Sequence, residues 1–230
     1  MDLIYSIYRV LSDKIYFSFI KENRFMYLVD GWVISIQVTV LAALLGIIIG
    51  LVVAIVKISG KSPFAQVADW YVSIIRGTPV VVQLTIIYYV ILADVSLPRT
   101  IVATIAFGIN SGAYVAEIIR AGILAVDKGQ TEAGRSLGLS EAKTMRYIII
   151  PQAIKNILPA LGNEFIILLK ETSVSGYIAL DDLTKGATLI RSVTYESFTP
   201  LITVAYIYFI MTAMLSAGLS KFERRLRASD

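Results

Sequence analysis

Residues 32–56 read WVISIQVTVLAALLGIIIGLVVAIV, a run without a single charged side chain. A hydrocarbon core of about 30 Å is crossed by about 20 apolar residues in helical form. Lipid offers no partner to backbone N–H and C=O groups, so a segment like this one must be helical. Four further stretches are long and apolar enough: one within residues 64–92, then 100–124, about 154–177, and 198–219. Arg76 interrupts the second, and Glu164, Lys170 and Glu171 interrupt the fourth. The reading is an all-α integral membrane protein with five transmembrane helices, in keeping with a chain that is 57% hydrophobic.

Basic residues orient the spans. One set of loops and ends holds Lys57, Lys61, Lys128, Arg135, Lys143, Arg146, Lys155, Lys221, Arg224, Arg225 and Arg227. The opposite set holds only Arg99, Lys185 and Arg191, offset by Asp94, Asp181, Asp182 and Glu196. The basic side is cytoplasmic by the positive-inside rule, which puts the N-terminus outside and the C-terminus in the cytoplasm. Residues 1–27 mix aromatic and charged side chains and fit an amphipathic segment lying in the outer interface; an unstructured tail is the alternative. Residues 28–222 form the transmembrane domain, and 223–230 a basic cytoplasmic tail.

The chain has no cysteine and no histidine. It therefore has no disulfide framework or thiolate, and it lacks the commonest metal ligand and general base. No metal site and no covalent chemistry are expected. The net charge of +4 sits beside apolar spans instead of along a stripe, so no nucleic-acid partner is expected either. Gly60-Lys61-Ser62 imitates the end of a phosphate loop, but Ile55 stands where that loop needs glycine, so no nucleotide site is expected. Gly46/Gly50 and Gly108/Gly112 are small-residue pairs of the kind that let membrane helices approach closely. They leave open whether the partner is another span or another subunit.

Residues 127–151 form a polar cytoplasmic loop between two spans. Gln130 or Thr131 can open a short helix with Glu132 in its first turn. Gly138 suits a left-handed helix end, Ser140 can cap a second helix through Met145, and Pro151 suits the first turn of a third. A plain hairpin without a partner satisfies the same pattern. The series Glu132-Ala133-Gly134, Gly138 and Ile150-Pro151 resembles the coupling loop of permeases from ATP-binding-cassette (ABC) importers, with Gly134 in place of the usual alanine and Ile150 in place of leucine. Further segments resemble the polar amino-acid permeases of that group, the histidine/glutamine/arginine type. These are Arg76-Gly77-Thr78-Pro79 with Gln83-Leu84, Ala106-Phe107-Gly108 to Glu117-Ile118-Ile119-Arg120-Ala121-Gly122, Pro151-Gln152-Ala153, and Leu161-Gly162-Asn163-Glu164-Phe165. The resemblance runs from about residue 31 to the C-terminus.

The resemblance implies a type I ABC-importer permease fold in a prokaryotic plasma membrane, working by alternating access. It implies ATPase subunits that dock on Glu132, Ala133, Gly134, Ser136, Leu137 and Gly138. It also implies a second permease subunit, identical or a close paralogue, an external solute-binding protein and an amino-acid substrate. No cofactor is expected on this chain, ATP and magnesium belonging to the partner ATPase. A self-sufficient secondary transporter or channel is the rival; it leaves the polar loop without a purpose.

Charged groups at mid-bilayer cost several kcal/mol and mark functional positions. Glu164 follows Pro151 by roughly 20 Å of helix, near the middle of its span. It is the candidate for a substrate ammonium, with Asn163, Asn110, Ser111 and Tyr114 supplying further hydrogen bonds. An internal pair with Arg76 or Lys170 is the alternative for the same carboxylate. Lys170, Thr172 and Ser173 are candidates for a gate at the outer end of the pathway.

Overall fold

The computed structural model describes residues 2–60 and 63–227, and all regular structure among them is helical. Helix α1 (Asp2–Ile15) leads through a π turn (Tyr16–Ile20) and a 3-10 turn (Lys21–Asn23) to α2 (Met26–Ser59). Then come α3 (Phe64–Arg76), α4 (Val80–Ile86) with a π turn at Ile87–Ile91, and α5 (Arg99–Leu124). The polar loop forms α6 (Lys128–Ser136) and α7 (Glu141–Thr144). A π turn (Met145–Ile149) leads to α8 (Ile150–Glu171), followed by a 3-10 stretch (Thr172–Ile178), α9 (Leu183–Thr194) and α10 (Phe198–Arg227).

Three helices, α2, α5 and α10, are long and apolar enough to cross a membrane. The expected second span is broken: α3 and the α4 segment meet at 107° and form at most one bent crossing. Pro79 has no N–H to donate and takes an extended conformation (φ −65°, ψ 137°), so α3 stops before it. Helix α8 has the length of a span, but Lys155, Glu164, Lys170 and Glu171 interrupt its apolar surface. Helix α2 outruns the expected 32–56 at both ends. It stops at Gly60, whose left-handed φ of 62° only glycine adopts freely. Lys61 and Ser62, the rest of that loop-like triplet, lie outside the described residues, as do Met1 and Ala228, Ser229 and Asp230 of the basic tail.

The main seam joins α2 to α5 through the two small-residue pairs, so they face each other within this chain. A Cβ on Gly50 would lie 2.5 Å from Val115 Cγ1, one on Gly108 2.6 Å from Leu45 Cδ2, and one on Gly112 2.7 Å from Ile49 Cγ2. Each glycine is the hollow that a branched side chain from the other helix fills. The apolar core beside the seam gathers Val38, Ala42, Leu84, Ala106, Phe107 and Leu168 from α2, α4, α5 and α8, all essentially inaccessible.

Helix α9, at about 18 Å, is too short to cross. It packs along α2, its Leu183 N–H donating to Ser35 Oγ at 3.1 Å, and Asp182 caps it by accepting from Lys185 N–H at 2.8 Å. At the start of α10, Glu196 accepts from Thr199 N–H at 3.3 Å and pairs with Lys14 of α1 at 3.2 Å. The Thr199 N–H first, and then the Lys14 ammonium, hold the Glu196 carboxyl below its usual range. This pair ties the N-terminal helix to the loop before α10.

Replacing Gly50 with Leu forces the α2–α5 seam apart and is expected to cost about 1–3 kcal/mol or more. Thermal unfolding of purified protein in detergent checks this. Gly218→Ala, at a site where an added Cβ meets nothing within 4 Å, is expected to melt with the wild type.

Candidate functional site

The break after α3 leaves carbonyl groups that no helix satisfies. Inside a bilayer each must find another donor. Gln83, one turn into α4, supplies it: its Nε2 donates to Ile75 O at 2.7 Å, Thr78 O at 3.1 Å and Thr78 Oγ1 at 2.8 Å. Its Oε1 accepts from Asn110 Nδ2 on α5 at 2.9 Å. The bend is thereby locked onto the central helix. Gln83 was not among the site residues expected from sequence, although a polar residue inside VVVQLTIIYYV carries the same intramembrane signal that singled out Glu164.

Beside this lock, Ser111 Oγ donates to Glu164 Oε1 at 2.8 Å, joining α5 to α8. Glu164 is only 7% exposed, and among the described residues it makes no direct ion pair with Arg76 or Lys170. Its second oxygen accepts no hydrogen bond from the described residues. Asn110 is 2% exposed and its Oδ1 is buried without a partner. Tyr114, one turn along α5 from Ser111, lies under the Arg76 guanidinium, 5.2 Å from ring centroid to carbon. Of the expected substrate residues, Ser111 and Glu164 therefore touch, Asn110 faces Gln83, and Tyr114 faces Arg76. Asn163 is exposed on the outer side of α8. Of the expected gate residues, Thr172 is buried with its hydroxyl donating to Leu169 O at 2.8 Å. Lys170 is exposed and Ser173 half-buried.

Further along α5 a cavity of about 440 Å³ is lined by Lys57, Asp69, Ser73, Arg76, Glu117 and Arg120. Lys57 Nζ bonds Asp69 at 2.9 Å and also Glu117 Oε1, while Arg120 bonds Glu117 Oε2 at 2.8 and 3.1 Å. This network ties the C-terminal parts of α2 and α5 to the middle of α3.

The polar loop is a compact helical hairpin. Helix α6 starts three residues earlier than expected, because Asp127 and not Gln130 or Thr131 caps it, accepting from Gly129 N–H at 2.6 Å. Gly138 stands at φ 80°, and Leu139 N–H to Gly134 O with Gly138 N–H to Arg135 O completes a Schellman end. Ser140 opens α7 as expected. The helix does not stop at Met145, however. It continues through the π turn at Met145–Ile149 into α8, the wider turn accommodating the missing N–H of Pro151. Gly134 is the buried member of the hairpin: a Cβ there would lie 2.8 Å from Thr144 Cγ2 and 2.9 Å from Ile148 Cδ1. Glycine thus closes α6 onto the following helix instead of loosening it. Glu132, Ala133, Ser136 and Gly138 are exposed, and Leu137 presents 81% of its surface to solvent.

Residues 46–228 match the family described as binding-protein-dependent transport system inner membrane component. The chain belongs to this family. It is 40% identical over 206 residues to the arginine transport system permease protein ArtQ of Bacillus subtilis, covering 89% of this chain and 94% of that one. A putative glutamine transport system permease protein, GlnP of Rickettsia bellii, is 39% identical over 208 residues, 90% and 95% of the two chains. A crystal structure of an amino acid ABC transporter with histidines shares the fold with a TM-score of 0.85 at 49% identity, over 90% of this chain and 98% of that one. The family is one of membrane permease subunits, so this chain is a membrane-embedded permease and not a catalytic subunit.

Gln83→Leu in this permease removes the donor for two freed carbonyls and the acceptor for Asn110. Buried polar groups left unsatisfied cost about 1–3 kcal/mol each, so a marked fall in melting temperature is expected. Thr85→Val, which removes a hydroxyl bonded only within its own helix, is expected to change little by the same measurement.

Proposed function

We propose that this chain is the transmembrane subunit of an ATP-driven importer of polar amino acids in a prokaryotic plasma membrane. The observation that carries the reading is the pairing of two features on one continuous helix. A buried carboxylate with an unspent oxygen sits in the bundle, and an exposed polar hairpin leads straight into the helix that bears it. Five crossings, with α8 as the fourth, place the N-terminus outside and the C-terminus in the cytoplasm; the distribution of Lys and Arg supports this topology. The hairpin then faces the cytoplasm, where ATPase subunits holding ATP and magnesium dock on Glu132, Ala133, Ser136, Leu137 and Gly138, with Gly134 packed behind them.

In this reading a second permease subunit, identical or closely related, covers the exposed face of α8 that carries Asn163 and Lys170. An external solute-binding protein delivers substrate at the opposite end. Glu164 attracts the ammonium of the amino acid, Ser111 holds the carboxylate in place, and Asn110 Oδ1 offers a further acceptor. Lys170, Thr172 and Ser173 border the outer gate. The relatives' names include arginine, glutamine and histidines, which supports polar amino acids as a class and does not single out one of them.

Uptake of labelled L-arginine, L-glutamine and L-histidine into vesicles holding the whole complex tests the proposal. Uptake is expected to require ATP and the ATPase subunits; uptake by this chain alone would make it a secondary transporter instead. Glu164→Ala is expected to lower uptake about tenfold or more, the range for losing a hydrogen bond to a charged group. Leu137→Asp is expected to leave the fold intact and to abolish substrate-stimulated ATP hydrolysis by detaching the ATPase.

A further inference from the structure

Helix α9 begins on a carboxyl group that is almost fully enclosed. Asp182 is 1% exposed. Its Oδ1 caps the helix by accepting from Lys185 N–H at 2.8 Å, while its Oδ2 is buried without a hydrogen-bond partner. Gly31 brings α2 hard against this turn, since a Cβ there would lie 2.5 Å from Asp182 O. Ser35, one turn further along α2, accepts from Leu183 N–H at 3.1 Å. Tyr208 of α10 is the second unpartnered group: its Oη is buried and makes no hydrogen bond. The Asp182 charge acts on that hydroxyl, together with the side chains of Thr184, Ser35 and Thr172. Helix α2, the 3-10 stretch, α9 and α10 thus converge on one polar junction that leaves two oxygens open.

A buried carboxylate must find a cation, a set of donors or a proton. Asp182 forms no ion pair among the described residues. The side chains around it are Ser35 from α2, Thr172 from the 3-10 stretch and Tyr208 from α10, none of them a cation. Asp30 on α2 is exposed. Lys185 meets the carboxyl through its backbone N–H, and its side chain lies beside Gly176. Glu171, next to Thr172, is acted on by Glu164 and Lys170 instead. The charge that does act on Asp182 is that of Asp181, of its own sign. Donors are short as well, because Thr172 spends its hydroxyl hydrogen on Leu169 O and can meet a neighbour only as an acceptor. Burial outweighs the backbone N–H groups at the start of α9 and pushes the Asp182 carboxyl up to about 7.

We infer that Asp182 is a proton-binding site, a neutral carboxyl whose Oδ2–H supplies the donor missing from this junction and clasps α9 to α10. The proton comes from solvent water and returns to it, and no other group changes. Its loss leaves an anion enclosed by uncharged side chains, and the junction must then open to water. A carboxyl whose folded value lies above its unfolded one holds its proton longer in the folded chain. Its contribution to stability is therefore complete below about pH 4 and is lost as the pH rises through about 7. Thr172 belongs to the stretch proposed above as the gate, so alkaline pH loosens the support of that stretch. The inference stands on packing and charge and does not depend on which substrate the permease carries.

The test compares the full-length protein with Asp182→Asn, both purified in detergent, by thermal melting between about pH 5 and about pH 8.5. Asparagine keeps the helix cap and carries an N–H where the acid carries its proton. The variant is therefore expected to fold, and its melting temperature to gain several degrees on the wild type as the pH rises across this range. Infrared difference spectra, wild type minus variant, are expected to show the carbonyl band of a protonated carboxyl at the acid end and none at the alkaline end. A melting difference that stays constant with pH, or the absence of that band at the acid end, would overturn the inference. So would failure of Asp182→Asn to fold, since asparagine imitates the neutral acid. Stabilisation of the wild type at neutral pH by sodium over choline at equal ionic strength, absent from Asp182→Asn, would place a metal cation on the open oxygen and overturn it too.

Discussion

A backbone that bends inside a bilayer must satisfy every carbonyl it frees, and the candidate site of this chain is arranged around a sharp bend. At Gly77–Pro79 the helix direction changes by 107°, and the cost falls on the carbonyls of Ile75 and Thr78. Gln83 meets both with one amide and hands its own oxygen to Asn110. The polar residues near the centre are therefore not scattered exceptions in an apolar domain. One of them exists to make the bend possible, and the bend brings Arg76 to Tyr114, one turn from Ser111 and Glu164. Tyr71 adds a second tie to the same helix, donating to Ile109 O at 2.6 Å.

Helix α5 is the organising element because close packing and polar contacts run side by side along it. Glycine at 108 and 112 lets α2 approach until Leu45 and Ile49 fill the hollows. Bordering this seam, where Ser111 also lies against Gly46, Ser111, Tyr114 and Glu117 follow one another at intervals of three residues, meeting Glu164, Arg76 and Lys57 with Arg120 in turn. A close, dry seam fixes the rotation of α5, and that rotation decides which charges the polar stripe can reach. Enlarging a seam glycine would therefore disturb the stripe as well as the packing.

Hydropathy made the long helices legible, since α2, α5 and α10 carry their apolar surface in uninterrupted runs. The bend was half legible: Arg76 announced an interruption, but nothing local says that Gln83 would repair it, because the repair depends on which way α4 turns. Counting residues after Pro151 sets an expected position for Glu164 along its helix. Its bond to Ser111 did not, since it requires the relative rotation of two helices set by glycines elsewhere. In the hairpin, Gly138 and Ser140 read correctly from turn and cap chemistry. Asp127 was overlooked as a cap in favour of residues closer to Glu132. Gly134, which stands in place of the usual alanine, has low helix propensity, whereas the close approach of Thr144 and Ile148 makes it a contact.

The continuity of α7 with α8 has mechanical consequences. A helix that stopped at Met145 and restarted at Pro151 would let the hairpin swing on a loop, and motion there would dissipate before reaching the bundle. Instead the chain is helical from Glu141 to Glu171, and a helix is stiff along its axis. The π turn at Met145–Ile149 is one adaptable turn, since it is wider than its neighbours and borders Pro151, which gives no hydrogen bond; Pro159, inside α8, withholds another. Displacement of the hairpin by a docked subunit would thus divide between two responses: rotation of α8 as a rod, or a shift of register at the π turn. Only the first moves Glu164 relative to Ser111. Ile149 and Ala153 are buried on either side of Pro151, which pins this stretch to the bundle and favours rotation of the rod over slippage within it. On that reasoning the buried carboxylate and the exposed hairpin form one lever, with its pivot where the sequence first suggested a gap.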